Sequence, residues 1–334
     1  MTEWLRVRRY LNEHRHELTQ AAQALYPSHQ RVAGTPLLAR PGWLPDAPVP
    51  LDQVMLTLCA ETDGGRPEPA LSGYAATLAE LSPPALFEDR ICYRLLDVSA
   101  CHLTFGVGRY FDLINTCEAV AHEFAAATLT GGPGSLALRE EIGDPTDVTR
   151  RPALAAITTL VLIRGDGGMR MILHWRDPAK VATGGGLYTT APVGMFQPSH
   201  DAGWNLRNDF GLWRSVVREL NEELLLAAED YGSDKAPIDY LGWPLYRQLT
   251  DGTRGAYWLG LGVDPLSLVI DLLVVVVLDT MLEGLATKVN DEGLLIAADF
   301  TEQYVERLLA AEHVEPASAA LLRLALQYRD VIMR

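Results

Sequence analysis

The sequence predicts an α+β protein: a mixed sheet flanked by helices in the C-terminal half, preceded by an N-terminal α/β unit. Three observations carry this. Ile157 to Arg164 and Met169 to Trp175 are apolar runs separated by Gly165-Asp166-Gly167-Gly168, the pattern of a β-hairpin. Apolar stripes at helical spacing run through Trp4, Val7, Leu11, Leu18, Ala22 and Leu25, and return over 302–311 and 317–328. The turn-rich stretch from Gly131 to Pro152 separates two halves and sets a boundary near residue 150, between units 1–150 and 151–334.

Taken in order, residues 3–25 read as amphipathic helix. Arg6, Arg8, Arg9 and Arg15 make it locally basic, which fits an arm for nucleic acid or an acidic partner less well than a helix docked on the body. The proline-rich segment 27–50 must wrap the protein, because Leu37, Leu38, Trp43 and Leu44 need burial. Leu51 to Cys59 reads as a strand, Asp63 to Pro67 as a turn, Tyr74 to Leu81 as a helix closed by Pro83-Pro84, and Ile91 to Leu96 as a strand. Phe105-Gly106-Val107-Gly108-Arg109 reads as a tight turn or a ligand loop in which Arg109 reaches a phosphate. Glu118 to Ala127 reads as a helix, with Glu118 and His122 on one face; a solvated face is the simpler use of them than a metal pair. In the second half, Leu187 to Thr190 is a short strand, Glu229 to Lys235 a polar loop, and Tyr240 to Gln248 and Gly255 to Val263 are expected strands. Leu266 to Leu278 is a buried strand, Met281 to Ala286 a short helix and Asn290 to Gly293 a turn. Thr301 is placed to cap the helix over 302–311.

The chain has 334 residues, a formal net charge of −15 and a pI near 4.9. An acidic surface disfavours nonspecific nucleic-acid and anionic-membrane contacts. Cys59, Cys92, Cys101 and Cys117 form no C-x-x-C pair, which argues against a zinc site and for free thiols. The opening residues lack the apolar core of a signal peptide, and 266–278 is too short to span a bilayer, so a cytoplasmic protein is expected.

The densest chemical signal is Arg218-Glu219-Leu220-Asn221-Glu222-Glu223-Leu224-Leu225. On a regular helix Glu219, Glu222 and Glu223 share one face, where three carboxylates repel unless a cation sits between them. The run resembles the core of the Nudix box, R-E-U-x-E-E with U aliphatic. The preceding order of hairpin, Gly184-Gly185-Gly186, short strand and Pro192 to Pro198 is similar to that of Nudix hydrolases. The likeness covers roughly 153–312. Two positions depart from it: Phe210 stands where the family has its first glutamate, and Leu225 where it has a glycine. One extra loop residue restores Gly203 and Asp209 as the upstream glycine and acid.

The resemblance implies a Nudix-like sheet and a metal-dependent hydrolase of a nucleoside diphosphate linked to another moiety. Glu219, Glu222, Glu223 and Asp209 would hold Mg²⁺ or Mn²⁺, and Arg218 would keep a glutamate oriented and ionised. Glu222, Glu223, Arg218 and Glu292 would form the catalytic set, with Glu292, or Asp291 beside it, as base. Phe196, Gln197, His200, Trp204 and Arg109 would contact substrate. A homodimer fits the same resemblance. Leu225 and Phe210 support the competing reading, a module that has lost catalysis and senses a nucleotide or metabolite.

Overall fold

A computed structural model describes residues 2–59, 73–84, 87–132, 135–165, 167–178, 185–227, 231–280 and 293–333. The strands are β1 (Gln30–Arg31), β2 (Leu38–Ala39), β3 (Val49–Pro50), β4 (Met55–Leu58), β5 (Ile91–Ser99), β6 (His102–Arg109), β7 (Ala155–Gly165), β8 (Gly168–Arg176), β9 (Tyr188–Thr190), β10 (Val193–Met195), β11 (Thr253–Val263), β12 (Ile270–Leu278) and β13 (Gly293–Asp299). The helices are α1 (Glu3–Glu13), α2 (Arg15–Ala22), α3 (Tyr74–Leu81), α4 (Tyr110–Leu113), α5 (Ala119–Leu129), α6 (Ala137–Ile142), α7 (Asn205–Asn208), α8 (Leu212–Glu219), α9 (Pro244–Gly252), α10 (Glu302–Ala311), α11 (Pro316–Gln327) and α12 (Arg329–Ile332). A π-helical turn at Ile114–Glu118 joins α4 to α5, and another at Leu220–Leu224 extends α8.

The fold is α+β. The large sheet runs β1-β2-β11-β12-β7-β8-β13, with β10 on β7, β9 on β8 and β3 on β11. Its β12–β7 pair is parallel, Ile270 opposite Ala155, and the other pairs are antiparallel. Every residue of β12 is buried, which explains its unbroken Leu/Val run: a strand covered on both faces has no polar side to present. α11 packs on β7 and β12. The expected 157–175 hairpin is β7–β8, and Thr301 caps α10 by accepting a hydrogen bond from the Tyr304 amide.

A smaller sheet, β4-β6-β5, lies before residue 150. Backbone hydrogen bonds tie it to the segments that enter and leave the large one: Tyr93 N to Phe196 O (2.9 Å) and Leu95 N to Ala153 O (2.8 Å). The wrapping segment supplies β1, β2 and β3, and Leu37, Leu38 and Trp43 are buried in the main core as expected.

Three expectations are corrected. Gly106 and Gly108 lie inside β6 and form no turn; a Cβ at Gly108 would press on Leu154. Tyr240 to Gln248 is no strand, since Pro244 starts helix α9 at its N1 position and Leu245 and Leu249 then share a helical face. The helix after the G-x-G segment begins at Tyr110, and its Glu118 is buried. β13, antiparallel to β8, was not anticipated. The expected features at 63–67, 281–286, 229–230 and 290–292 lie outside the described residues.

Among the described residues no helix is long and apolar enough to cross a membrane; the apolar 266–278 stretch is largely β12.

Candidate functional site

The acidic helix lies against β10 and β7. Leu212, Val216, Val217, Leu220 and Leu224 are buried, leaving the glutamates half-exposed along one side. The π-helical turn over 220–224 widens the helix beneath Glu222 and Glu223. Such turns cost hydrogen-bond geometry and occur frequently at functional sites.

That turn spreads the three carboxylates. Glu223 Oε1 accepts the backbone N–H of Val193 (3.2 Å). Glu219 lies over Gly194, where a Cβ would overlap its carboxyl group. Two carboxylates four residues apart therefore meet at one short stretch of β10. Glu222 turns aside, and its Oε1 accepts the Tyr231 hydroxyl at 2.6 Å. Burial and the nearby Glu222 carboxylate raise the Tyr231 pKa, so this hydroxyl stays a donor.

Arg218 is buried behind the glutamates. It donates to the Tyr240 hydroxyl (2.5 Å) and the Gln197 carbonyl (2.6 Å), while the Tyr240 hydroxyl donates to Asp209 Oδ1 (3.0 Å). Burial alone would lower the Arg218 pKa; Tyr240 and Asp209 overcome this and raise it, so the cation is permanent. Asp209 is fully buried, and its Oδ2 accepts both the Ser199 amide (2.8 Å) and hydroxyl (2.6 Å). Asp209 thus anchors the 197–209 loop, a structural use of the acid expected to bind metal.

Among the described residues, no three His, Cys, Asp or Glu side chains gather into a group that could hold a metal ion. The expected set of Glu219, Glu222, Glu223 and Asp209 is divided among β10, Tyr231 and the Tyr240–Ser199 network. A pair remains at β10, Glu219 with Glu223. Mg²⁺ commonly takes one or two carboxylates and completes its shell with water and substrate phosphate, so these two would be the residues to hold one. Glu292 and Asp291 lie outside the described residues.

The expected substrate contacts are scattered. Phe196 is fully buried against Tyr93, Phe105 and Phe210, a core cluster that leaves no face for a base. The Gln197 side chain accepts from the Cys92 thiol at 3.5 Å. Burial pushes that thiol up to about 12, so it is no nucleophile. His200 is exposed, with Nδ1 accepting the Ala202 amide (3.1 Å). Trp204 is 46% exposed, and its indole N–H is committed to the Ser233 carbonyl (3.1 Å). Arg109 pairs with Asp201 (3.0 Å) and Asp89 (3.3 Å), pinning the 198–201 loop to the end of β6.

Sequence reasoning missed Tyr231, Tyr240 and Gly194. No motif marks the tyrosines, which reach the acidic helix from a later segment. Gly194 carried a signal in retrospect, being a glycine inside a short apolar strand, where close approach by another group is the usual reason.

A second polar cluster lies where α1 and α2 dock on α5. Glu118 pairs with Arg8 and with Arg15 (2.9 Å). Burial alone would push the Glu118 carboxyl up, but Arg15 and Arg8 hold it down at about 2. His122 stacks on Trp4 at 5.0 Å and meets the Tyr74 hydroxyl through Nδ1 (3.1 Å). Burial, with Arg8 nearby, lowers His122 to about 4, so it is neutral at pH 7. The solvated helix face expected here is instead a buried ion-pair cluster, because α1 covers it.

No family model matches the chain, and no curated protein sequence matches it.

Proposed function

We propose that this chain is a Mg²⁺- or Mn²⁺-dependent hydrolase of a nucleoside diphosphate linked to another moiety, acting at the acidic helix. One observation carries the reading: Glu219 and Glu223 converge on β10 at Val193 and Gly194, where a Cβ on Gly194 would displace the Glu219 carboxyl group from this position. A surface helix would turn such side chains to solvent; holding two of them together against backbone suits cation binding better.

Glu219 and Glu223 would hold the metal. When bound, it would supply charge neutralisation for the diphosphate and a more acidic attacking water. Glu222, oriented by Tyr231, is the carboxylate assigned to receive the proton of that water. Arg218, fixed by Tyr240 and Gln197, holds the last turn of α8 against the 197–209 loop and adds a permanent positive charge behind the glutamates.

A second reading is a nucleotide- or metabolite-sensing module that has lost catalysis. It is favoured by the end of the helix, where Leu226, a branched residue, takes the left-handed turn at φ 56°. Strain of that kind is usually avoided by glycine.

The test is release of phosphate or nucleoside monophosphate from a panel of nucleoside diphosphate derivatives with Mg²⁺ or Mn²⁺. Wild type is compared with Glu219→Gln/Glu223→Gln and Gly194→Ala. Metal-dependent turnover lost in both variants supports the hydrolase. Absent turnover, with a panel member still raising thermal stability in wild type, leaves the sensor reading. Turnover that survives both variants refutes the assignment of the site.

A further inference from the structure

We propose that the protein carries a buried anion site, sized for chloride, at the side chain of Arg151, where the segment 135–153 meets the turn between β11 and β12. Arg151 is 0% exposed. Its Nη2 donates to the Leu268 carbonyl (2.8 Å). Its Nε and Nη1 are shut off from solvent, and no atom of the protein accepts a hydrogen bond from either. Buried polar groups are nearly always satisfied, and leaving one dry is costly. A guanidinium also keeps its proton, so these donors carry a permanent positive charge.

The groups around Arg151 do not balance that charge. Burial lowers its pKa, and the strongest opposing group is Cys117. Burial pushes that thiol up to about 12, so it is neutral at pH 7. Asp144 and Asp147 face Arg151 from further along the same segment, and both are engaged elsewhere. Asp144 Oδ1 accepts from His29 (2.9 Å) and from the Thr146 amide (2.8 Å) and hydroxyl (2.7 Å). Asp147 Oδ1 accepts the Thr149 amide (3.0 Å) and hydroxyl (2.7 Å). A second buried guanidinium adds to the positive field. Arg139 donates to the Tyr26 hydroxyl (2.9 Å) and to the Pro265 (2.8 Å) and Leu266 carbonyls of the same turn, and its Nε has no acceptor. Among the described residues neither arginine forms an ion pair.

The turn is built to hold this arrangement. Its own carboxylate, Asp264, spends Oδ1 on the Leu266 amide (2.9 Å), the Ser267 amide (2.6 Å) and the Ser267 hydroxyl (2.9 Å). Leu268, whose carbonyl holds Arg151, is buried at φ 62°, a left-handed conformation that a branched side chain keeps only when its surroundings impose it. A buried cation is ordinarily paired with an opposite charge. Because Arg151 is fully enclosed, the ion that pairs with it is small and inorganic; a phosphate ester does not fit that description. The site is therefore separate from the acidic helix and independent of the hydrolase reading.

The experiment is thermal unfolding of the full chain, dialysed free of halide, in sodium chloride and in sodium gluconate at matched ionic strength. Gluconate is too large for an enclosed site. Chloride at about ten times its Kd should raise the wild-type Tm by about 2 °C over gluconate, and the rise should saturate with concentration. Arg151→Met, which keeps much of the volume and removes the charge, should lose that advantage. Equal Tm values in the two salts for wild type overturn the site. So does a chloride advantage that survives in Arg151→Met, since it would then arise at the surface. Should Arg151→Met not fold, wild-type crystals grown in bromide at the half-saturating concentration decide. An anomalous peak in hydrogen-bond contact with Arg151 Nε or Nη1 supports the site, and a water only at that place overturns it.

Discussion

Replacing Glu118 with glutamine should destabilise the protein by an amount that depends on pH in one direction. The Glu118 carboxyl is buried between Arg8 and Arg15, and its pKa falls from the ordinary 4.5 to about 2. A depressed carboxylate pKa contributes stability that is fully present above the unfolded value and is lost as pH falls through the folded one. A shift of this size corresponds to about 3 kcal/mol at neutral pH. Removing one member of a buried ion-pair group costs about 3–5 kcal/mol because the remaining charges are stranded. The two routes agree on about 3 kcal/mol for Glu118→Gln at pH 7. Urea unfolding of wild type and variant at several pH values between 7 and 2 should show the difference shrinking below pH 4.5 and nearly gone at pH 2. A difference that stays constant across the range, or a variant as stable as wild type at pH 7, would refute the reasoning. Replacing Arg8 and Arg15 by methionine in the glutamine variant should recover stability, since no buried charge is then left alone.

Phe196→Ala should cost about 3–5 kcal/mol in urea unfolding, as expected for a fully buried aromatic. Tyr240→Phe removes the hydroxyl between Arg218 and Asp209 and should cost about 2–3 kcal/mol by the same assay, because two buried charged groups each lose a partner. Asp271, buried and bonded to the Thr158 hydroxyl (2.9 Å), has its pKa raised by burial and then by Glu315. The folded state keeps that proton, so its stability is full below the ordinary carboxyl range and declines as pH rises through it. Asp271→Asn should therefore gain on wild type from pH 4 to pH 8, and a parallel pair of stability–pH curves would sink the assignment.

The strands with unbroken apolar content were legible, because β7, β8, β11 and β12 are covered by their neighbours and their composition reports it. The caps were legible for the same local reason, Thr301 being the clearest. α9 was misread because Tyr240, Trp243 and Tyr246 carry strand-favouring side chains, although Pro244 at N1 decides for helix. The acidic helix was legible as a place, but not the directions of its side chains: the π-helical turn breaks the spacing that put three glutamates on one face. Phe196 and Asp209 were misassigned because burial depends on partners such as Phe105 and Tyr240, which lie far off in sequence. Glu118 looked solvated for the same reason, with Arg8 lying 110 residues away.

The strands β2 and β3 end their search on β11, a partner some 200 residues later in the chain. On the ribosome, residues 30–50 emerge long before the strand they must join exists. Leu37, Leu38 and Trp43 then wait in water or in the grip of a chaperone until synthesis reaches 253–263. The belt at this edge of the sheet is thus among the first parts made and is fastened only after β11 exists, and a pause in translation between the two would prolong the interval in which those apolar residues are open to aggregation.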